Sequence, residues 1–209
     1  MKTDILLAGR PTALSSALSV LEQGGLVAFP TDTVYGLGAM LFNSQAIEQL
    51  YTVKGRDTSK AIAVLLGSPD HLPQVTAEMG DMARRLAQHF WPGPLTLVIA
   101  RHPALPANLS PSPTVGVRMP NHPVALKLLK TAGPMAVTSA NLSGTANACT
   151  AQEVYEQLQG CIPLILDGGH TPGGKPSTVV DCTGIEPIIL RVGPITLDQL
   201  YAALQHSHF

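Results

Sequence analysis

Residues 14–30 read LSSALSVLEQGGLVAFP, and this stretch decides the fold class because it joins a helix pattern to a strand pattern. Leu14–Gln23 predicts a helix, and Gly24-Gly25 predicts its end, since glycine readily adopts the left-handed conformation of a helix C-cap. The short apolar run Leu26–Pro30 that follows predicts a buried strand. A helix and a strand in succession are the building unit of an α/β fold.

The same alternation continues along the rest of the chain. Further helices are predicted at Ala46–Val53, Asp81–Phe90, Val124–Thr131 and Glu153–Gln159, and after Thr196. Further strands are predicted at Ala61–Leu66, Leu95–Ala100, Thr114–Met119, Met135–Thr138, Ile162–Asp167, Ser177–Asp181 and Pro187–Arg191. The last three strands follow one another closely, and such strands are more naturally antiparallel than parallel. Thr150 to Glu153 and Thr196 to Gln199 have the form of helix capping boxes. An α/β domain with a mixed sheet and flanking helices is therefore predicted.

Composition limits the class of protein further. The 209 residues suit a single domain over residues 1–209, and 45% hydrophobic against 13% charged residues provide a substantial core. A formal net charge of −1 gives no general basic field for nucleic acid, although the 13 Lys and Arg residues can still form a local patch.

Three cysteines, Cys149, Cys161 and Cys182, match neither a zinc framework nor a disulfide scaffold. The N-terminus lacks the basic start and apolar region of a signal peptide, and no apolar run approaches the ~20 residues of a membrane helix. These features predict a cytoplasmic protein with no membrane association.

Two short segments carry the best-equipped side chains for chemistry. Lys54-Gly55-Arg56, with Lys60 nearby, supplies cations, and Ser139-Ala140-Asn141 supplies a hydroxyl and an amide after a short strand. Arginine offers a planar fork for phosphate oxygens, and lysine a point charge. If the fold joins the two segments, they form a polyanion pocket. The alternatives are a solvated cluster at a helix end and a turn or helix cap. Neither a P-loop nor a GxGxxG fingerprint is present.

Arg118 stands in the apolar strand pattern Val115–Pro120, where an arginine costs free energy unless it is paired. It either points into water at the sheet edge or binds a carboxylate. His170, in a glycine-rich loop, is a weak candidate base. The carboxylates near these segments lack metal-ligand spacing, so no protein-ligated metal is predicted.

The motifs together resemble the YrdC/TsaC family of threonylcarbamoyl-AMP synthases in its single-domain form. They occur in family order from about residue 12 to residue 200. The matching segments are Phe29–Gly38 (FPTDTVYGLG), Lys54–Arg56, Phe90–Leu97 (FWPGPLTL), Val117–Pro120, Ser139–Gly144 (SANLSG), Leu166–Gly169, Pro176–Asp181 (PSTVVD) and Leu190–Gly193.

The resemblance implies a twisted open sheet around a concave basic cavity. It also implies a reaction: L-threonine, bicarbonate or CO2 and ATP condense to L-threonylcarbamoyladenylate and pyrophosphate. The product would serve threonylcarbamoyl modification of the tRNA adenosine next to the anticodon, completed by a separate transferase complex. Mg²⁺ is expected to accompany ATP.

The family's site residues can be transferred to this chain by motif. The family tetrad, expected to be catalytic, corresponds to Lys54, Arg56, Ser139 and Asn141. Threonine-binding positions correspond to Thr33, Arg118, Ser139 and Ser177, with Arg118 expected to pair with the substrate carboxylate. ATP-binding positions correspond to Arg56, Lys60, Thr114, Asn141, Thr150 and Arg191. Some two-domain relatives carry Asn and His where this chain has Lys60 and Leu65, and Lys60 is typical of the single-domain branch.

Two other functions are compatible with the sequence. One is a non-catalytic paralogue that binds double-stranded RNA or tRNA through the rim of the cavity, although the near-neutral charge disfavours it. The other is an enzyme that adenylates an amino acid without bicarbonate.

Overall fold

The computed structural model describes residues 1–205 of the chain. Within them the strands are β1 (Asp4–Leu7), β2 (Val27–Phe29), β3 (Gly36–Met40), β4 (Ala63–Leu65), β5 (Leu95–Ala100), β6 (Thr114–Arg118), β7 (Met135–Ser139), β8 (Leu164–Asp167), β9 (Thr178–Asp181) and β10 (Ile188–Arg191). The α-helices are α1 (Ala13–Glu22), α2 (Ser44–Lys54), α3 (Asp81–Phe90), α4 (Pro123–Ala132), α5 (Ala151–Leu158) and α6 (Leu197–Gln205). Short 3₁₀ segments occur at Pro69–Gln74 and Ala107–Leu109.

All ten strands form one mixed sheet in the order β1-β8-β2-β3-β7-β4-β6-β5-β9-β10. Four neighbouring pairs are parallel, namely β1 with β8, β8 with β2, β4 with β6, and β5 with β9. The other five pairs are antiparallel. The predicted single α/β domain with a mixed sheet is confirmed.

One expectation about strand pairing is wrong. Strands β8 and β9 follow each other in sequence, but β8 pairs with β1 and β2, whereas β9 pairs with β5 and β10. The glycine-rich connection between them passes against the β2–β3 loop. A Cβ at Gly173 would lie 2.7 Å from the Asp32 carbonyl oxygen and 2.8 Å from the Thr33 Cα, so only glycine allows this approach. The antiparallel expectation holds for β9 and β10.

Side chains on the two faces of the sheet form separate parts of the core. On one face Val27 and Phe29 pack with residues of α1 and α4, including Leu21 and Leu128. On the other face Ala28 belongs to a larger cluster that includes residues of α2, α3, α5 and α6. The alternation along β2 is the period of two expected for a strand buried on both faces.

The two predicted capping boxes differ in detail. At α6 the box is reciprocal, because the Thr196 hydroxyl accepts a hydrogen bond from the Gln199 amide and Gln199 Oε1 accepts one from the Thr196 amide. At α5 Thr150 caps the amide of Glu153, but the Glu153 carboxylate accepts from the Cys149 amide. Across residues 1–205, no helix is both long and apolar enough to cross a bilayer.

Candidate active site

A cavity of about 340 Å³ lies over the part of the sheet that includes β4, β5, β6 and β9. The cavity is on the same face of the sheet as α1 and α4. Helix α1 covers another part of this face, at β8, β2 and β3. Thr96 and Val98 of β5 line the cavity, whereas the alternate residues Leu97 and Ile99 are in the core of the opposite face. Its polar lining residues include Thr31, Thr33, Arg56, Thr96, Arg118, Thr138, Ser139, Asn147, Ser177 and Arg191. The predicted concave cavity is present, and its net basic character stays a prediction.

Arg118 lines this cavity, and three acceptors hold its side chain. Its side chain donates from Nε to the Gly93 carbonyl at 2.9 Å, from Nη1 to Thr33 Oγ1 at 3.0 Å and from Nη2 to Asp32 Oδ1 at 2.5 Å. Asp32 Oδ1 also accepts from the Asn121 amide at 3.0 Å. We call Asp32, Thr33 and Arg118 the paired end of the cavity.

Burial is nearly complete at the paired end. Arg118 is 5% exposed, and the alternative that it points into water is therefore wrong. Desolvation lowers the pKa of the Arg118 guanidinium, and the Asp32 carboxylate opposes this shift. An arginine in such a position keeps its charge because the carboxylate compensates for the lost water.

Arg56 and Arg191 line the same cavity without a carboxylate partner among the described ion pairs, and we call them the open end. Arg56 is half-buried and donates to the carbonyls of Lys60 and Ala61 at 3.2 and 2.9 Å. Desolvation lowers the pKa of Arg191, and the positive charges of Arg118 and Arg56 lower it further. The Arg191 guanidinium is therefore repelled by both other arginines, and such repulsion favours an anionic ligand.

Ser177 contacts the open end directly. Arg191 donates to its carbonyl from Nε at 3.1 Å and from Nη2 at 2.9 Å, and to its hydroxyl at 3.0 Å. The same hydroxyl lies 2.8 Å from Thr96 Oγ1. This arrangement orients a buried hydroxyl beside the arginine fork.

The structure brings the segments containing Lys54 and Asn141 together, as predicted. Lys54 is 2% exposed at the end of α2. Its ammonium donates to the carbonyls of Ser139 and Asn141 and, at 3.4 Å, to Asn141 Oδ1. Ser139 and Arg56 line the cavity, whereas Lys54 and Asn141 are behind its wall.

Besides Asn141, three predicted nucleotide contacts lie outside the cavity lining. Lys60 is exposed, and its carbonyl accepts from Arg56. The Thr114 hydroxyl lies 2.9 Å from Ser112 Oγ, and Thr150 is the N-cap of α5. The candidate base His170 is exposed and is also absent from the lining.

Asp32 and Thr96 are two functional residues of the site that were not predicted from the sequence. Asp32 lies beside Thr33 in a quoted motif, but its partner is 86 residues away. Thr96 interrupts an apolar strand. A threonine in such a strand indicates a polar contact within the fold, because a buried hydroxyl requires a hydrogen-bond partner.

Across residues 1–205, no cluster of three or more His, Cys, Asp or Glu side chains could hold a metal ion. The cavity presents hydroxyls and guanidiniums, which suit anionic substrate groups.

A mixed α/β sheet with an arginine-lined cavity on one face defines a protein that binds small anionic molecules. Comparison with known proteins identifies it further. The family model Sua5_yciO_yrdC, described as "Telomere recombination", matches residues 19–193. The chain belongs to this family.

Individual relatives agree with the family assignment. A protein of Mycobacterium tuberculosis (strain ATCC 25618 / H37Rv) is 41% identical over 93% of this chain and 90% of its own length. The threonylcarbamoyl-AMP synthase of Bacillus subtilis (strain 168) is 40% identical over 99% of this chain and 60% of its own length. The structure of Pyrococcus abyssi Sua5 complexed with L-threonine has a TM-score of 0.93 at 37% identity, covering 97% of this chain and 61% of that one. The chain thus spans about 60% of the length of the last two relatives.

Proposed function

We propose that this protein is an L-threonylcarbamoyladenylate synthase that uses L-threonine, bicarbonate or CO2 and ATP with Mg²⁺. One observation carries the proposal: a single cavity contains an arginine already paired with a carboxylate and two arginines without such a partner. The first suits a small zwitterion, and the others suit a polyphosphate. The threonine complex of the P. abyssi relative and the name of the B. subtilis relative support the same substrates.

The reaction balances without a covalent enzyme intermediate. The threonine amine adds to CO2 to form a carbamate and release a proton. A carbamate oxygen then attacks the α-phosphorus of ATP, and the bond to the β-phosphate breaks to release pyrophosphate. Catalysis is by positioning of the two substrates and by stabilisation of charge at the phosphoryl centre.

Six of the polar lining residues have a proposed role in this scheme. Arg118 pairs with the threonine carboxylate, and the hydroxyls of Thr33, Ser139 and Ser177 hold the rest of the amino acid. Arg56 and Arg191 neutralise the phosphates. Lys60, Thr114 and Thr150 stay predicted nucleotide contacts, which would require ATP to extend beyond the cavity.

Several wider elements belong to the same proposal. The adenylate would pass to a transferase complex that modifies tRNA, and the protein would act in the cytoplasm. The RNA-binding alternative is not favoured, because it gives the buried Arg118 and the neighbouring hydroxyls no role.

The test is incubation of the protein with ATP, Mg²⁺ and labelled bicarbonate in the presence of each amino acid in turn. A labelled adenylate that forms only with threonine supports the proposal. An unlabelled aminoacyl adenylate would identify an enzyme that adenylates amino acids without bicarbonate. RNA binding that weakens steeply with salt, without ATP consumption, would identify the RNA-binding paralogue.

A further inference from the structure

The ammonium of Lys54 has no hydrogen-bond donor left for a ligand. A lysine ammonium has three N–H donors. In this structure it contacts three oxygens, the carbonyls of Ser139 and Asn141 and Asn141 Oδ1. The residue is 2% exposed, and the residues that line the cavity do not include it.

The amide of Asn141 is occupied in the same way. Its Nδ2 group donates to the carbonyls of Leu142 and Thr145 at 2.9 and 3.0 Å, while its oxygen accepts from Lys54. Asn141 is 5% exposed. Its side chain therefore closes the turn that follows β7, and every polar atom of it has a partner within the protein.

The backbone of Lys54 strengthens this connection. The Ser143 amide donates to the Lys54 carbonyl at 2.8 Å, so the end of α2 and the turn after β7 are joined by side chain and backbone. Lys54 is also in the last turn of α2, where free carbonyl groups favour a cation. A buried ammonium in such a place is tolerated because oxygen acceptors replace its lost water.

We propose that Lys54 and Asn141 are positioning residues that hold the Ser139–Asn141 turn, so that the Ser139 side chain faces the cavity, and that neither contacts the nucleotide. The family tetrad then divides into two residues that face substrate, Arg56 and Ser139, and two that hold the wall behind them. Lys54, predicted from the sequence as a cation of a polyanion pocket, then does not contact the triphosphate, and the arginines alone neutralise it.

Lysine labelling tests the proposal on the unaltered protein. The chain has six lysines, and the five others, Lys2, Lys60, Lys127, Lys130 and Lys175, are exposed. Reductive methylation followed by peptide mapping should modify these five in the native protein and spare Lys54 until the protein is unfolded. Addition of ATP with Mg²⁺ should not change the reactivity of Lys54. Modification of Lys54 at the rate of Lys60, with protection by ATP, would overturn the proposal.

A double-mutant cycle supplies a kinetic test that depends on the proposed synthase function. Lys54→Met should lower kcat/KM for threonine about tenfold or more, with the KM for ATP changed less than about threefold. Its effect should overlap with that of Ser139→Ala, because both act at one turn, so the double variant should lose little more than the worse single variant. Lys130→Met, on an exposed position of α4, is the matched control and should have wild-type kinetics.

The outcomes separate the two proposals. Losses that multiply in the double variant, together with a large rise in the KM for ATP, would assign Lys54 to the nucleotide. If the unaltered protein makes no adenylate, the synthase proposal fails. The labelling pattern still decides whether the Lys54 ammonium is inaccessible to reagent and to ATP. Should Lys54→Met not fold, the labelling experiment stands alone.

Discussion

The two ends of the cavity both contain arginine, but they are built by different kinds of contact. Arg118 is bonded to residues 25, 85 and 86 positions away in sequence, including a carboxylate. Arg56 is bonded only to carbonyls 4 and 5 positions away. Long-range contacts exist only in the complete fold. The Arg118 side chain is therefore held in place, with its charge balanced by the Asp32 carboxylate, before a ligand binds. The open end keeps its charge for a ligand with several negative charges.

Removal of Arg56 should have the largest effect, because Arg56 lines the cavity and forms none of the described ion pairs. We expect Arg56→Ala to lower kcat/KM for threonine-dependent pyrophosphate release by about 10²–10³-fold. The matched control is Arg84→Ala, since Arg84 is exposed and pairs with Asp81 on the surface of α3. Near-normal pyrophosphate release from Arg56→Ala would show that the open end does not serve the phosphates.

Disruption of the paired end should affect threonine and spare ATP. Asp32→Ala leaves Arg118 and the Asn121 amide without their shared acceptor. We expect the KM for threonine to rise about tenfold, since hydrogen bonds to charged groups contribute about 1.5–3 kcal/mol. Initial rates at varied threonine and fixed saturating ATP measure the effect.

Asp32→Asn is the matched variant for this experiment. It keeps an oxygen acceptor for both donors but removes the negative charge, so it separates positioning of Arg118 from charge compensation. A smaller loss than in Asp32→Ala identifies positioning as the main effect. An equal rise in the KM for ATP in both variants would contradict the division of the cavity into two ends.

Ser177 sharpens the comparison because its hydroxyl contacts Arg191 and Thr96 together. In Ser177→Ala, Arg191 keeps both bonds to the residue 177 carbonyl and loses only the hydroxyl bond. This bond joins the hydroxyl to a charged guanidinium, and such bonds contribute about 1.5–3 kcal/mol, so kcat/KM for threonine should fall about tenfold. Ser15→Ala, on the exposed side of α1, is the control. A loss as large as that of Arg56→Ala would mean that Ser177 contacts the reacting atoms.

Local sequence signals predicted the elements far better than the strand pairing. Helix α3 and strand β5 have the predicted bounds, because each has a clear apolar pattern and a proline-rich break between them. Strand β3 was missed because Gly36 and Gly38 have low strand propensity. Here a Cβ on Gly38 would lie 2.9 Å from Cε1 of the buried Phe29 ring and 2.7 Å from Met135 Cε, so a larger residue would force these side chains to shift. Strand β1, a short edge strand, was also missed.

For the candidate site, too, the sequence predicted which residues take part better than it predicted the contacts between them. Motif order placed Arg56, Arg118, Ser139 and Ser177 together, and the structure brings these residues to one cavity. The sequence could not show that the Lys54 ammonium is buried against the turn after β7, since this depends on three oxygens more than 80 residues away. Nor could it pair Asp32 with Arg118, because a contact between distant loops and strands leaves no periodic signal.

Ionic strength should produce the smallest effect and should separate the two ends without any mutation. Charges that attract across solvent are screened over about 8–10 Å at physiological salt, whereas buried pairs are screened much less. Raising the salt concentration several-fold should therefore raise the KM for ATP about two- to threefold, because Arg56 and Arg191 have no carboxylate partner among the described ion pairs. The KM for threonine should change little, since Arg118 is 5% exposed and compensated by Asp32. Initial rates with a constant excess of Mg²⁺ measure both constants. If the KM values for ATP and threonine rose equally with salt, the paired and open ends would not differ in how they attract their substrates.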